Sequence, residues 1–164
     1  MEPIHICSRS QALQVPHTHH QQSLCTSVGG SGQEDARLVG GLTGKFTRAL
    51  RLRFDDVEDE MGPAITFGRV HAQQILDAVR ELPADAPLLI HCEGGVSRSV
   101  AIGYFLATLL RRRAHLHAAP DSSKGNRLVF KTLRNAYVLD ALARWKIPRL
   151  DLLRLELPRS DAPY

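Results

Sequence analysis

One short segment concentrates the residue types of nucleophilic chemistry on an anion. Cys92 is followed six positions later by Arg98, and two glycines, Gly94 and Gly95, lie between them. A thiolate is a strong nucleophile, and the planar guanidinium of arginine holds two phosphate oxygens at once. The glycine pair lets the intervening loop turn tightly without a Cβ in the way. The segment therefore predicts an anion-binding loop with a nucleophile inside it. It reads His91-Cys92-Glu93-Gly94-Gly95-Val96-Ser97-Arg98-Ser99.

The elements on either side of this loop strengthen the prediction. The apolar run Leu88–Ile90 follows Pro87 and predicts a short buried strand. Apolar residues at helical spacing then predict a helix that begins near Ser97 and ends at Arg111-Arg112-Arg113. A strand–loop–helix junction gathers backbone N–H groups and the positive end of the helix dipole, and such a field favours the thiolate of Cys92. The inward-facing helix residues are Val100, Ala101, Tyr104, Phe105 and Leu109.

The spacing of the segment is similar to that of a known enzyme family. Cysteine, five residues and arginine, with His91 before and Ser99 after, resembles the signature loop of the cysteine-dependent protein tyrosine phosphatases. The fuller pattern His-Cys-x-x-Gly-x-Ser-Arg-Ser resembles the compact dual-specificity branch, although Gly94 stands where many members have alanine. The resemblance extends over about residues 48–113 and does not include residues 1–45.

This resemblance implies a role for each residue of the segment. Cys92 would attack phosphorus and form a phospho-cysteine intermediate, while Arg98 and the loop amides stabilise the transferring group. The Ser99 hydroxyl would stabilise the thiolate as it leaves, and His91 would tune the thiol from behind the loop. The implied catalytic residues are Cys92, Arg98, Asp56, Ser99 and His91. The implied substrate-binding residues are Glu93, Gly94, Gly95, Val96, Ser97 and Arg98.

The general acid that the resemblance implies is an aspartate just after the preceding strand. From Ala49 to Phe54, apolar residues alternate with arginines, as in a half-buried strand, and an acidic loop follows directly. Asp56 is the best candidate, because it follows this strand as the family's acid follows its own. Its separation from the nucleophile is a few residues longer than usual, so Asp55 and Asp59 remain alternatives.

The remaining periodic segments complete an α/β pattern. Strands that alternate with helices predict one α/β domain over residues 1–164, with a central, mostly parallel sheet and helices on both faces. Residues 1–45 form a divergent, partly loop-rich part of it. The further predicted elements are strands at Ile4–Cys7 and Ser23–Val28, a helix carrying Ala72, Ile75, Leu76, Val79 and Leu82 with Thr66 as its cap and Pro83 as its stop, and a helix from Asn126 to Lys146.

Composition limits the surroundings and partners of the protein. The chain has 164 residues, 43% of them hydrophobic and 23% charged, with a net charge of +4, which is typical of a globular protein and too weakly basic to indicate nucleic acid. Its start lacks a signal-peptide pattern, and the longest apolar stretch, Val100–Leu110, is too short for a bilayer. Three widely spaced cysteines, Cys7, Cys25 and Cys92, suggest a reducing compartment. We therefore expect a cytoplasmic protein without membrane partners, in which Cys7 and Cys25 are small hydrophobic residues of strands.

No metal or cofactor is expected. His17, His19 and His20 lie close together, but no cysteine or carboxylate completes a recognisable ligand spacing, and a polar loop explains them better.

The sequence therefore predicts a metal-independent phosphomonoester hydrolase, with phosphotyrosine on proteins as the favoured substrate and phosphoserine or phosphothreonine as further ones. The alternative is a phosphate-binding pseudo-phosphatase that recognises phosphoproteins without turnover. A phosphatase for lipid or RNA phosphate ranks last, because the loop at Glu93–Val96 is net acidic.

Overall fold

A computed structural model describes residues 3–15, 22–32, 42, 45–59, 62–117, 124–144 and 150–154. Its strands are β1 (Ile4–Ser8), β2 (Leu24–Gly29), β3 (Arg48–Arg53), β4 (Leu88–Cys92) and β5 (Ala114–Leu116). Its helices are α1 (Arg9–Ala12), α2 (Arg69–Arg80), α3 (Arg98–Leu110), α4 (Arg127–Ala143) and α5 (Leu150–Leu153). The five strands form one sheet in the order β3-β2-β4-β1-β5, and every neighbouring pair is parallel.

The sheet carries helices on both faces, as the sequence predicts, but the two faces are unequal. All five residues of β4 are buried, as expected for the central strand of a covered parallel sheet. The larger core lies between the sheet and α2, α3 and α4, where Ile4 and Ile90 meet Phe105 and Leu133. On the other face α1 contributes to a smaller cluster. That cluster consists of Cys7, Ala12, Val15, Cys25, Leu42, Phe46 and Leu89.

The predicted strands are confirmed with shifts of one or two residues at their ends, whereas one helix cap is wrong. Helix α2 begins at Arg69 with Gly68 as its N-cap, two residues after Thr66. The backbone N–H of Gly68 donates to Nδ1 of His71 at 3.0 Å. The ring of His71, at the third position of the helix, thus accepts from the backbone N–H of the N-cap residue, as a Glu or Gln side chain does in a capping box. The helix ends at Arg80, before Pro83.

The long helix α4 begins where the sequence predicts, with Asn126 as its N-cap. It ends at Ala143, three residues earlier than expected, and the expected last residue, Lys146, lies outside the described residues. Helix α3 ends before the three arginines, with Arg111 in the left-handed conformation at φ 54°. Arg112 then turns inward and donates to the backbone oxygen of Ala86 at 2.6 Å, so it links chain segments in addition to following a helix end.

Within the described ranges, none of the helices combines the length and the apolar character that crossing a membrane requires.

Candidate active site

The candidate site lies at the carboxyl end of the central strand, the edge where parallel α/β sheets bind their ligands. Cys92 is the last residue of β4 and is 3% exposed. It pairs with Ser8 at the end of β1, while the preceding His91 pairs with Cys7 on one side and Ser27 on the other. Strand pairing on one side of Cys92 and on both sides of His91 fixes the backbone that carries the thiol.

The thiol of Cys92 contacts a hydroxyl that the sequence assigned to it. The Sγ atom lies 3.1 Å from Oγ of Ser99, and both side chains are buried. Ser99 occupies the first turn of α3, so the loop from β4 to this helix returns to the thiol at the end of β4. A hydroxyl at this distance can donate to a thiolate, and hydrogen bonds to a charged group are stronger than neutral ones.

The tight turn of the loop depends on Gly95. Its φ is +71°, in the region that L side chains rarely adopt. A Cβ at this position would lie 2.9 Å from the carbonyl oxygen of Cys7, and would collide with the backbone nitrogen of Ser8. At Gly94 an added Cβ would meet only Val96 at an ordinary 3.6 Å. The loop therefore requires glycine at position 95. At position 94 alanine, which many phosphatases with a similar loop have, would fit.

The backbone of the loop is free to receive an anion. In the described part of the chain, none of the N–H groups of residues 93–97 donates a hydrogen bond to a protein acceptor. These groups precede the 13-residue helix α3, whose N-terminus carries partial positive charge. Consecutive N–H groups at such a helix end form a site for phosphate or sulfate.

Arg98 supplies the positive charge of the site. It is 8% exposed, and one of its terminal nitrogens, Nη1, donates to the backbone oxygen of Phe54 at 2.9 Å. Its Nε is buried and has no acceptor among the described residues. Anchoring through Nη1 leaves Nε and Nη2, which form one edge of the guanidinium, for two oxygens of a bound anion. The same contact ties the loop to the end of β3.

The three candidate acids after β3 have different partners. Both carboxylate oxygens of Asp55 are occupied: Oδ1 accepts from the N–H of Ser31 at 2.9 Å, and Oδ2 accepts from the N–H of Ile65 at 2.8 Å. The backbone N–H of Ser31, followed by that of Ile65, holds the pKa of Asp55 below its usual range. Asp55 therefore links the loop after β3 to the backbone of Ser31 and Ile65. Asp59 is exposed and has no hydrogen bond in the described part of the chain.

Asp56 is the candidate acid that a hydrogen bond connects to residues 92–98, the candidate nucleophile loop (below, the nucleophile loop). Its Oδ1 accepts from the Ser97 hydroxyl at 2.7 Å and from Nδ2 of Asn126 at 2.9 Å. Its other oxygen, Oδ2, has no partner within the described ranges. The carboxyl is thus held by one oxygen beside the loop, with the second oxygen available for a proton.

Two predicted substrate-binding residues use their side chains elsewhere. Glu93 forms an ion pair with Arg9 of α1 at 2.8 Å, and its carbonyl oxygen accepts from the Arg9 backbone N–H at 3.3 Å. Ser97 directs its hydroxyl to Asp56. The backbone N–H groups of both residues have no acceptor in the described part of the chain, so they can donate to an anion while the side chains hold the loop in shape.

The remaining cysteines are unsuited to nucleophilic attack. Burial raises the pKa of Cys7 to about 12, with a smaller contribution from the nearby Cys92. Burial likewise raises the pKa of Cys25 to about 12, with a smaller contribution from Cys7. Both are buried strand residues, as expected from the sequence. His91 is fully buried behind the loop, which fits a structural role better than proton transfer to solvent.

The described residues contain no group of three or more His, Cys, Asp or Glu side chains arranged to hold a metal ion. His17, His19 and His20 lie outside the described residues.

Sequence reasoning missed three contacts that shape the site. Asn126 reaches Asp56, Arg9 holds Glu93, and the carbonyl of Phe54 anchors Arg98. Asparagine just before a predicted helix was a visible cap signal, but its second contact joins positions 70 residues apart. Neither the arginine nor the carbonyl carries a local signal.

No protein-family model matches the chain, and no curated protein matches it either. The geometry around Cys92 and the spacing of the loop residues are therefore the features from which a function can be inferred.

Proposed function

We propose that this protein hydrolyses phosphate monoesters through a cysteinyl-phosphate intermediate, as the cysteine-dependent protein tyrosine phosphatases do. One arrangement of groups carries the proposal. The buried thiol of Cys92 lies 3.1 Å from the hydroxyl of Ser99, and the loop that follows it has unpaired N–H groups and ends at the buried Arg98. A structural cysteine at a strand end needs neither the arginine nor the positive-φ glycine. The combination of thiol, arginine and glycine therefore favours a catalytic role for Cys92 over a purely structural one.

In the first step, the loop N–H groups and the free edge of Arg98 bind the phosphoryl oxygens. The thiolate of Cys92 attacks phosphorus, an S–P bond forms, and the P–O bond to the leaving group breaks. The leaving oxygen takes a proton from Asp56, so it departs as a neutral alcohol or phenol. Donors fixed before the reaction stabilise the charge that develops on the equatorial oxygens.

In the second step, Asp56, now a carboxylate, takes a proton from water. The water oxygen attacks phosphorus, the S–P bond breaks, and inorganic phosphate leaves. The electron pair of that bond returns to sulfur, where the hydroxyl of Ser99 donates to the new thiolate. Both protons are accounted for, and no metal is needed.

The recessed thiol supports aryl phosphates on proteins as the favoured substrates. Cys92 is nearly buried, whereas Glu93, Gly94 and Val96 around it are exposed. A phosphate at the end of a phenyl ring extends farther from a peptide backbone than a phosphate on serine. The ring can therefore reach such a thiol while the peptide stays at the surface.

The test is turnover of matched phosphotyrosine and phosphoserine peptides, an RNA 5′-phosphate and a soluble phosphoinositide, with a chelator present throughout. We expect release of phosphate, fastest from the phosphotyrosine peptide, and its loss in Cys92→Ser with phosphate-analogue binding retained. Binding of the phosphotyrosine peptide by wild-type protein without release of phosphate would replace the proposal by a phosphoprotein-binding role. Equal turnover by Cys92→Ser would also overturn it.

A further inference from the structure

Asn126 uses every polar group it has to join three parts of the site. It is 2% exposed, and its side-chain Oδ1 accepts from the N–H of Val129 at 3.0 Å, which caps α4. Its Nδ2 donates to Oδ1 of Asp56 at 2.9 Å and to the carbonyl oxygen of Val57 at 3.2 Å. Its backbone N–H donates to the carbonyl of Ser97 at 3.3 Å. Through its side chain and its backbone N–H, this one residue contacts the acid loop (the segment after β3 that carries Asp56 and Val57), the nucleophile loop and a helix.

We infer that Asn126 is a positioning residue that holds Asp56 in place for proton transfer, an inference that rests on the proposed function. Capping alone does not account for its contacts, because a cap needs only the side-chain oxygen. The two Nδ2 hydrogens are donated to the acid loop, one to the carboxylate of Asp56 and one to the carbonyl oxygen of Val57. Aspartate or serine would cap as well, but neither has an amide group with two hydrogens to donate to the acid loop.

The geometry explains why Asp56 needs a positioning residue. Asp56 is exposed, on a loop after β3, and its backbone alone does not fix the carboxyl. Two donors on Oδ1, from Asn126 and from the Ser97 hydroxyl, restrict its rotation and leave Oδ2 for the transferable proton. A misplacement of about 1 Å can cost as much as 10²-fold in rate, so a lost donor should be visible in kinetics.

Asn126→Ser is the main variant, because it retains a cap acceptor and lacks the amide donor. We expect kcat/KM for phenyl phosphate to fall about tenfold, since Ser97 still holds one oxygen of Asp56. The rate for dinitrophenyl phosphate should stay close to that of wild type, because a dinitrophenolate leaves without a proton. Asn126→Asp also keeps the cap and loses the donor, and it should show the same dependence on the leaving group.

Leu133→Val serves as the matched control for destabilisation. It trims a buried core residue on α4, about two turns beyond the cap, and leaves the contacts of Asn126 intact. It should lower the thermal midpoint without altering the ratio of rates for the two esters. If Leu133→Val and Asn126→Ser changed that ratio alike, the role of Asn126 would be structural and the inference wrong.

The decisive comparison is a double-mutant cycle with Asp56→Asn. If Asn126 acts through Asp56, Asn126→Ser should have no further effect on phenyl phosphate once Asp56 has lost its acidity. Full additivity of the two losses would overturn the inference.

The same assays separate this inference from the proposed function. Turnover that depends on Cys92 but is indifferent to Asn126 would refute only the positioning role. Turnover that does not depend on Cys92 would refute the proposed function, and the positioning role with it.

Discussion

Ser99→Ala should separate the two chemical steps. The Ser99 hydroxyl lies 3.1 Å from the thiol of Cys92, and both are buried, so solvent cannot replace it. A hydrogen bond to a charged group contributes about 1.5–3 kcal/mol. At about 1.4 kcal/mol per tenfold change, its loss should slow departure of the thiolate by roughly 10- to 150-fold. With an ester whose leaving group departs easily, the first step should remain fast, so the intermediate accumulates.

The assay is rapid mixing with p-nitrophenyl phosphate, in which the release of nitrophenolate is followed by absorbance. Ser99→Ala should release about one equivalent per protein in a burst and then turn over slowly, with a steady-state rate that no longer depends on the leaving group. Ser10→Ala, the same change at an exposed position on α1, should behave as wild type. A uniform slowing of both phases, without a burst, would refute the assignment of the hydroxyl to the second step.

Three further predictions concern the loop and its supports. Arg98→Lys keeps the charge but loses the fork and should reduce kcat/KM for an aryl phosphate by about 10²-fold or more, and a variant that retains most of its rate would show that charge alone suffices. Gly95→Ala should destabilise the fold by at least ~1–2 kcal/mol in denaturant titration, whereas Gly94→Ala should be nearly neutral, and equal losses would contradict the loop geometry. Because donors led by the backbone N–H of Ser31 lower the pKa of Asp55, its carboxylate stabilises the fold at neutral pH, and this contribution is lost as the pH falls below about 4. Thermal midpoints of wild type and Asp55→Asn should therefore converge in acid, and a constant difference would contradict this cause.

The nucleophile loop could be predicted from the sequence because its signals are local. The apolar run before Cys92, the glycines and the spacing to Arg98 each constrain the same few residues, and together they specify a strand, a tight turn and a helix start. The alternation of apolar residues with arginines over residues 49–54 likewise predicted a half-buried strand, and Leu52 and Phe54 are buried while the arginines that alternate with them are exposed.

The distinction between the candidate acids had no local signal. Asp55 and Asp56 are adjacent and chemically identical, and they differ in the partners that the fold brings to them. Asp55 meets Ser31, 24 positions away, while Asp56 meets Ser97, 41 positions away. The Thr66 cap failed for a different, local reason: the helix begins after Gly68, and the ring of His71, three residues on, accepts from the Gly68 backbone N–H.

The central claim is that phosphoryl transfer passes through the sulfur of Cys92, and the most direct test is to detect that bond. Wild-type protein and Ser99→Ala would be mixed with p-nitrophenyl phosphate, quenched rapidly and digested, and the peptide containing Cys92 would be examined by mass spectrometry. We predict one phosphoryl group on Cys92, more abundant in Ser99→Ala than in wild type and absent from Cys92→Ser. Turnover with no phosphoryl group on Cys92 in any sample, including Ser99→Ala, would contradict the account.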